Sequence, residues 1–161
     1  MIKAALLSKK CKKLSRLPKK DHVSYFGSSS IGILFNSNEY NHTLIEELKD
    51  SFSGDGKEIA YLAYSEKESD EKLSFCKKDI SVSGKLNKDQ LTFFTNQSFD
   101  FLVSLDTSGD INYKYVLALS KAICKVGINA EAHRDLLTLS FEKQSDQSQN
   151  IRDIIKYLKK I

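Results

Sequence analysis

Short apolar runs alternate along the chain with longer segments whose apolar residues recur at helical spacing. Residues 31–35, 59–64 and 99–105 are nearly continuous apolar runs rich in β-branched and aromatic side chains, which is typical of strands buried on both faces. Between the first two runs, residues 40–52 place apolar side chains on one face of a helix. This strand–helix–strand passage has the length of a βαβ unit, whose crossover should be right-handed.

The rest of the chain continues the alternation with less regular segments. The elements predicted there are helices at 89–96, 113–123 and 151–161, short strands at 125–128 and 136–141, and an irregular strand or edge hairpin at 73–82. Alternating strands and helices imply a mostly parallel sheet covered on both faces. We therefore predict an α/β fold, a three-layer Rossmann-like domain with a sheet of about five strands.

The first twenty residues differ from the rest of the chain in charge. They contain eight cations and no acid, and because the net charge of the whole chain is +4, the remaining 141 residues sum to −4. We divide the chain into a basic N-terminal arm, residues 1–20, and a single α/β domain, residues 21–161. The arm is rich in helix formers, and a helix should end near Pro18. Its thin apolar stripe predicts a helix when docked and fraying when free.

Cations clustered without acids can neutralise phosphates, with an affinity that falls steeply as salt rises. The arm therefore predicts contact with RNA, a ribonucleoprotein or another polyanion. The candidate contact residues are Lys9, Lys10, Lys12, Lys13, Arg16, Lys19 and Lys20. The same arm could instead lie on an anionic membrane surface, contact a protein partner, or form a solvated tail. Since residues 1–24 contain no aromatic side chain, the arm offers no base stacking and only a weak membrane anchor.

A second candidate site follows from the predicted sheet. Parallel sheets bind ligands beyond the carboxyl ends of their strands, at the point where the strand order reverses. Polar loops at 36–39 and 106–110 follow two of the predicted strands. The candidate ligand-binding residues there are Asn36, Asn38, Asp106, Thr107, Ser108 and Asp110. The same residue types also form turns and helix caps, so both interpretations stay open.

The sequence contains no motif of catalysis, cofactor binding or metal binding. Neither GxGxxG nor GxxxxGK[ST] nor GxSxG occurs, and the three cysteines and three histidines have no ligand spacing. We name no catalytic residue, cofactor or metal, and we interpret Cys124 as a buried apolar residue. His133-Arg134-Asp135 matches the kinase catalytic triplet by chance. Scattered thiols, and no apolar run of signal-peptide or membrane-span length, predict a cytoplasmic protein.

Most of the chain resembles a family of small uncharacterised α/β proteins typical of Bacteroidota, a domain of unknown function. The segments that carry this resemblance are the basic arm and residues 30–35, 75–79, 84–85, 99–105, 117–122 and 125–127, in that order. It implies the fold and a bacterial cytosolic protein, and it implies no activity. Locally, residues 99–106, 117–122 and 125–127 are similar to the N-terminal, acceptor-side domain of heptosyltransferase-like glycosyltransferases. The chain has no room for the second Rossmann domain of those enzymes, so this similarity implies shared architecture only.

From the sequence we expect a non-catalytic accessory or binding protein that contacts RNA, the ribosome or another polyanion through its arm. A small enzyme or ligand-binding domain at the strand ends is the alternative, and a peripheral membrane or protein-complex component is a third. We also expect that deletion of residues 2–20 abolishes polyanion binding and leaves thermal stability nearly unchanged.

Overall fold

The computed structural model describes residues 1–17, 23–128 and 131–161, and helices and strands alternate along them. The helices are α1 (Ile2–Ser15), α2 (His42–Ser53), α3 (Asp89–Asn96), α4 (Ile111–Leu119) and α5 (Gln147–Leu158). The strands are β1 (Ser30–Asn36), β2 (Glu58–Tyr64), β3 (Ser74–Phe75), β4 (Phe101–Leu105), β5 (Cys124–Ile128) and β6 (Leu139–Phe141). Two short 3₁₀ helices lie at Lys77–Asp79 and Glu131–His133.

The six strands form one parallel sheet in the order β3-β2-β1-β4-β5-β6. The α/β, three-layer Rossmann-like prediction is confirmed, with six strands instead of about five. The sixth strand, β3, has two residues and lies at the edge of the sheet, within the segment 73–82 that was predicted as an irregular strand or edge hairpin. The strand order reverses between β1 and β4, and Phe35 pairs with Leu105 at their carboxyl ends. The loops after these two strands therefore begin side by side.

Helices cover both faces of the sheet, and each face has its own core cluster. Helices α2 and α5 pack on one face, and α1, α3 and α4 belong to the other cluster. Strand β1 shows the alternation: Ile33 and Phe35 enter the first cluster, and Leu34 enters the second. Gly32 allows a close approach to the sheet, because a Cβ at this position would lie 2.7 Å from the ring of Phe99.

Helix α1 packs against α4 and is part of the folded body. Leu7 and Cys11 are 0% and 1% exposed, and Leu14 packs beside them, which gives the i, i+4, i+7 spacing of one helix face. Six of the nine residues of α4 are buried, because α4 lies between the sheet and α1. The predicted apolar stripe of the arm consists of Ile2, Leu6, Leu7, Leu14 and Leu17. Only Leu7 and Leu14 pack against the body, and the other three are exposed instead. These exposed residues are Ile2, Leu6 and Leu17.

Several helix boundaries differ from the predicted ones: α4 spans Ile111–Leu119 instead of 113–123, and α5 spans Gln147–Leu158 instead of 151–161. Helix α1 ends at Ser15, and Pro18 lies outside the described residues. The cap of α2 is Asn41, whose side chain accepts a hydrogen bond of 3.0 Å from the backbone N–H of Leu44, instead of a residue in the 36–39 loop. Within the described ranges, no helix is both long enough and apolar enough to cross a bilayer.

Candidate functional site

The docking of α1 divides its cations between two sides of the helix. Lys3 and Lys10 lie towards the body, where their Nζ atoms donate hydrogen bonds to the backbone carbonyls of Lys77 and Ser83. Partial burial lowers the pKa of Lys3. These two lysines therefore help to hold α1 against the segment that follows β3.

Three further cations of α1 and the cation at its C-cap point into solvent, and we call them the basic face: Lys9, Lys12, Lys13 and Arg16. Their i, i+3, i+4, i+7 spacing places them on the side of the helix opposite Leu7, along about 10 Å of its axis. All four are exposed. No ion pair within the described part of the chain involves any of them. The basic face is thus a fixed strip of positive charge that no described acidic residue neutralises.

The other predicted polyanion-binding residues do not add to this strip. Lys10 is exposed along its stem, but its ammonium group contacts the carbonyl of Ser83. Lys19 and Lys20 fall in the segment 18–22, outside the described residues.

The predicted strand-end residues come together where β1 and β4 end. The side-chain amide of Asn36 donates to Asp106 Oδ1 at 2.7 Å and to Ser108 Oγ at 3.3 Å. Its Oδ1 accepts a hydrogen bond from the backbone N–H of Asn38 at 3.0 Å. The two loops meet as expected, but their polar side chains form hydrogen bonds with one another.

Asp106 is the centre of this cluster, and its acceptor sites are occupied by the chain itself. Its Oδ1 accepts from Asn36 and from the hydroxyl of Ser108 at 2.7 Å. Its Oδ2 accepts from the backbone N–H of Gly109 at 3.1 Å and from Nε2 of His133 at 2.7 Å. A carboxylate has about four lone-pair sites, so none is left for a ligand. Asp106 is 1% exposed.

The electrostatics of Asp106 follow from this environment. Burial raises the pKa of the carboxyl, but the hydrogen bonds from His133, Asn36 and Ser108 outweigh burial and lower the pKa to about 2. The carboxylate is therefore ionised over the physiological range. Its charge acts on the neighbouring donors, and it ties together the loops that follow β1, β4 and β5.

The two remaining predicted residues, Thr107 and Asp110, have local structural contacts. The backbone N–H and the hydroxyl of Thr107 both donate to the carboxylate of Glu39, at 2.9 Å each. Burial, together with the nearby charge of Asp106, raises the pKa of Glu39. Asp110 caps α4 by accepting a hydrogen bond of 2.8 Å from the backbone N–H of Asn112. These contacts match the turn-and-cap interpretation of the loop.

His133 is the member of the cluster that sequence reasoning missed. It ends the short 3₁₀ helix after β5, and its ring lies 5.4 Å from that of Tyr113, centroid to centroid. The sequence feature that could have identified His133 is its position just after a predicted strand, at the same edge of the sheet as Asp106. Its Nδ1 is buried without a hydrogen-bond partner in the described part of the protein.

The cluster is closed, and the clefts we describe lie elsewhere. One cleft of about 310 Å³ lies at the amino ends of β1 and β2. Another of about 380 Å³ lies between the end of α1 and the segment 118–123. Among residues 1–17, 23–128 and 131–161, no three metal-binding side chains come together. The Asp106 cluster can hold together the chain segments that follow β1, β4 and β5, and the basic face can attract anions.

Comparison with known proteins gives a family and no activity. No curated protein and no solved structure showed significant similarity to the chain. Residues 3–161 match a family described as a family of unknown function, DUF6913. The match includes nearly all of α1. The chain belongs to the family of unknown function DUF6913.

Proposed function

We propose that this protein is a non-catalytic binding protein that contacts the phosphate backbone of RNA through the basic face of α1. The observation that carries the proposal is the orientation of Lys9, Lys12, Lys13 and Arg16, which point away from the body without acidic partners in the described residues. Four cations within about 10 Å match the charge density of a nucleic acid backbone.

Docking of the helix strengthens this proposal over that of a solvated tail. Leu7 and Cys11 fix α1 on α4, so the four cations are already arranged before a partner arrives. A free tail would lose conformational entropy on binding, whereas a docked helix loses only side-chain freedom. Because no aromatic side chain lies on α1, contacts by the basic face should be independent of base sequence.

A cytoplasmic location is part of the same proposal. None of the three cysteines, Cys11, Cys76 and Cys124, forms a disulfide, and all three are buried, which fits a compartment that keeps thiols reduced. Burial of Cys124 agrees with its interpretation as a buried apolar residue.

The alternative of an enzyme or ligand-binding domain at the strand ends receives less support. A general acid or base must reach the proton that it transfers. Asp106 and His133 are each 1% exposed, and every acceptor site of Asp106 is already occupied. We therefore assign this cluster a structural role in the proposal.

The test is the affinity for RNA of a variant in which the basic face is neutral. The fourfold substitution Lys9→Gln, Lys12→Gln, Lys13→Gln and Arg16→Gln should weaken binding of an RNA hairpin at 50 mM salt by at least tenfold, measured by fluorescence anisotropy. These residues are exposed, so circular dichroism melting should remain unchanged within a few degrees.

A matched control removes the same charge from other surfaces. The control variant is Lys67→Gln, Lys72→Gln, Lys143→Gln and Arg134→Gln, all at exposed positions. Equal loss of affinity in both variants would show that net charge alone matters and would contradict the proposal. Binding of the original chain to anionic vesicles but not to RNA would contradict it as well, in favour of a membrane role.

A further inference from the structure

A second surface combines an exposed aromatic ring with unpaired cations. Tyr157, on α5, is 45% exposed. Its ring stacks on that of Phe141, in edge strand β6, with centroids 5.7 Å apart and planes inclined by 19°. Phe141 packs against one face of the Tyr157 ring, so this contact holds the ring in one orientation at the surface. A held aromatic ring can stack with another planar group at little entropic cost.

The ammonium groups of two lysines lie over this ring. The Nζ atoms of Lys156 and Lys160 are 5.6 Å and 5.7 Å from the centre of the Tyr157 ring, within the range of cation–π contacts. Both lysines are exposed, and neither forms an ion pair with a described residue. Their neighbour Lys159 differs, since it pairs with Asp55 at 2.8 Å. We call Phe141, Lys156, Tyr157 and Lys160 the aromatic platform.

We propose that the aromatic platform binds single-stranded nucleic acid. A nucleobase stacks on the ring of Tyr157 in place of the ammonium groups of Lys156 and Lys160, which turn to contact the phosphates on either side of that base. Sites of this kind combine an aromatic face with cations that follow the backbone. Duplexes do not fit such a site, because their bases are already stacked on one another.

The aromatic platform is independent of the basic face of α1. Helix α5 packs on the face of the sheet opposite the cluster that contains α1. The proposal therefore stands if the basic face does not bind RNA, and it adds to the proposed function a preference for single strands.

Charge favours nucleic acid over a second copy of the chain as the occupant. In a twofold dimer, a residue near the axis meets its own symmetry mate. Pairing two aromatic platforms would bring four ammonium groups together without acids between them, which is repulsive. An anionic partner removes this repulsion, and a partner with planar bases also uses the ring.

The test compares substitutions at Tyr157 with a matched aromatic control. Tyr157→Ala should weaken binding of a 12-nucleotide single-stranded RNA by about 5- to 150-fold, which is the range for loss of one stacked base. Tyr157→Phe keeps the ring and should bind within about twofold of the original chain. Phe93→Ala removes a ring that is also exposed but has no ammonium group over it in the described residues, and it should not change affinity.

Heparin, a polyanion without bases, separates the two surfaces. Tyr157→Ala should leave heparin affinity unchanged, whereas the fourfold substitution in the basic face should lower affinity for heparin and RNA alike. Unchanged RNA binding by Tyr157→Ala, or equal loss for heparin and RNA, would overturn the aromatic platform. If light scattering shows that the original chain is a dimer and that Tyr157→Ala is a monomer, the aromatic platform is overturned in favour of self-association. The same comparisons are made in the fourfold basic-face variant, where the basic face cannot bind the probe, so the outcome for the aromatic platform does not depend on that for the basic face.

Discussion

At the scale of single residues, Asp106 has the most consequential contacts in the protein. Asn36, Ser108, Gly109 and His133 all donate to its carboxylate; Asn36 is the last residue of β1, and the other three lie in the loops that follow β4 and β5. Replacing the carboxylate with an amide removes the charge and puts a donor where acceptors are needed. Buried donors left without acceptors cost about 1 to 3 kcal/mol each.

We therefore predict that Asp106→Asn lowers the free energy of unfolding at pH 7 by at least 2 kcal/mol, measured by urea denaturation. Asp70→Asn, at an exposed position, is the control and should change the free energy by less than about 0.5 kcal/mol. A destabilisation of Asp106→Asn no larger than that of the control would refute the stapling role.

The pKa of Asp106 adds a prediction about pH. Its folded value of about 2 lies below the usual 3.8, so the ionised form is favoured by folding. The stability that it contributes is complete above about pH 4 and is lost as the pH falls towards 2, and it amounts to about 2 kcal/mol. The unfolding free energy of Asp106→Asn should depend less steeply on pH between 4 and 2 than that of the original chain. Parallel curves would exclude this contribution.

The sequence predicted part of this cluster but not that hydrogen bonds within the chain occupy every acceptor site of Asp106. Asn36 and Asp106 were expected to be close, because the carboxyl ends of neighbouring parallel strands meet at one edge of a sheet. His133 lies 27 residues after Asp106, and its contact depends on the path of the loop after β5. No local sequence pattern shows that four donors occupy all acceptor sites of one carboxylate. The sequence therefore could not distinguish a ligand-binding site from a structural hydrogen-bond cluster.

At the scale of elements, α1 joins the basic face to the core. Leu7 is 0% exposed and packs in the same cluster as α4, whereas its neighbour Leu6 is 40% exposed. The expectation that residues 2–20 can be deleted without loss of stability conflicts with this burial, because deletion would uncover α4. Point substitutions in α1 are therefore better probes than deletion.

This neighbouring pair gives a matched stability test. Leu7→Ala should lower the free energy of unfolding by about 2 to 5 kcal/mol, through lost burial and the cavity left behind. Leu6→Ala should change it by less than about 0.5 kcal/mol. Chemical denaturation of both variants measures the difference. Equal effects would mean that α1 is not docked as described.

Cys11 reports the docking of α1 directly. It is 1% exposed, and burial raises the pKa of its thiol to about 11, so little reactive thiolate exists near pH 8. We predict slow modification of Cys11 by a thiol reagent in the native protein. Leu7→Ala should accelerate it at least tenfold, with Cys124 under the opposite face of the sheet as the internal control. Fast modification of Cys11 in the original chain would contradict stable docking.

The elements themselves were mostly predictable, and the docking of α1 was not. The predicted short helix at 89–96 coincides with α3, because its apolar residues keep helical spacing. The stripe of α1 was misassigned, since Cys11 was not counted among the apolar residues that pack. The missed signal lies in α4. Tyr115 and Ala118 are apolar and lie outside its predicted apolar face, which consists of Tyr113, Val116, Leu117, Leu119, Ser120 and Ile123. A helix with apolar residues on more than one face must pack against more than one neighbouring element, and here α1 covers the second face of α4.

At the scale of the whole molecule, positive charge is presented on two sides of one parallel sheet. The basic face lies on the side of α1, and the aromatic platform lies on the side of α5. The rest of the chain beyond residue 20 carries a net charge of −4, so attraction of a polyanion should be local to these surfaces. The distribution of charge along the sequence indicated the first surface. The second depends on a contact between a strand and a helix that sequence spacing does not reveal.

The most direct test of the central claim is the salt dependence of RNA binding by the original chain and by the fourfold substitution in the basic face. Four phosphate contacts on a single strand predict that the slope of log K against log salt concentration becomes less negative by about 3 in the variant. The control that neutralises Lys67, Lys72, Lys143 and Arg134 should keep the original slope. A slope that is the same for the original chain and the basic-face variant would contradict the claim that α1 binds RNA through these cations.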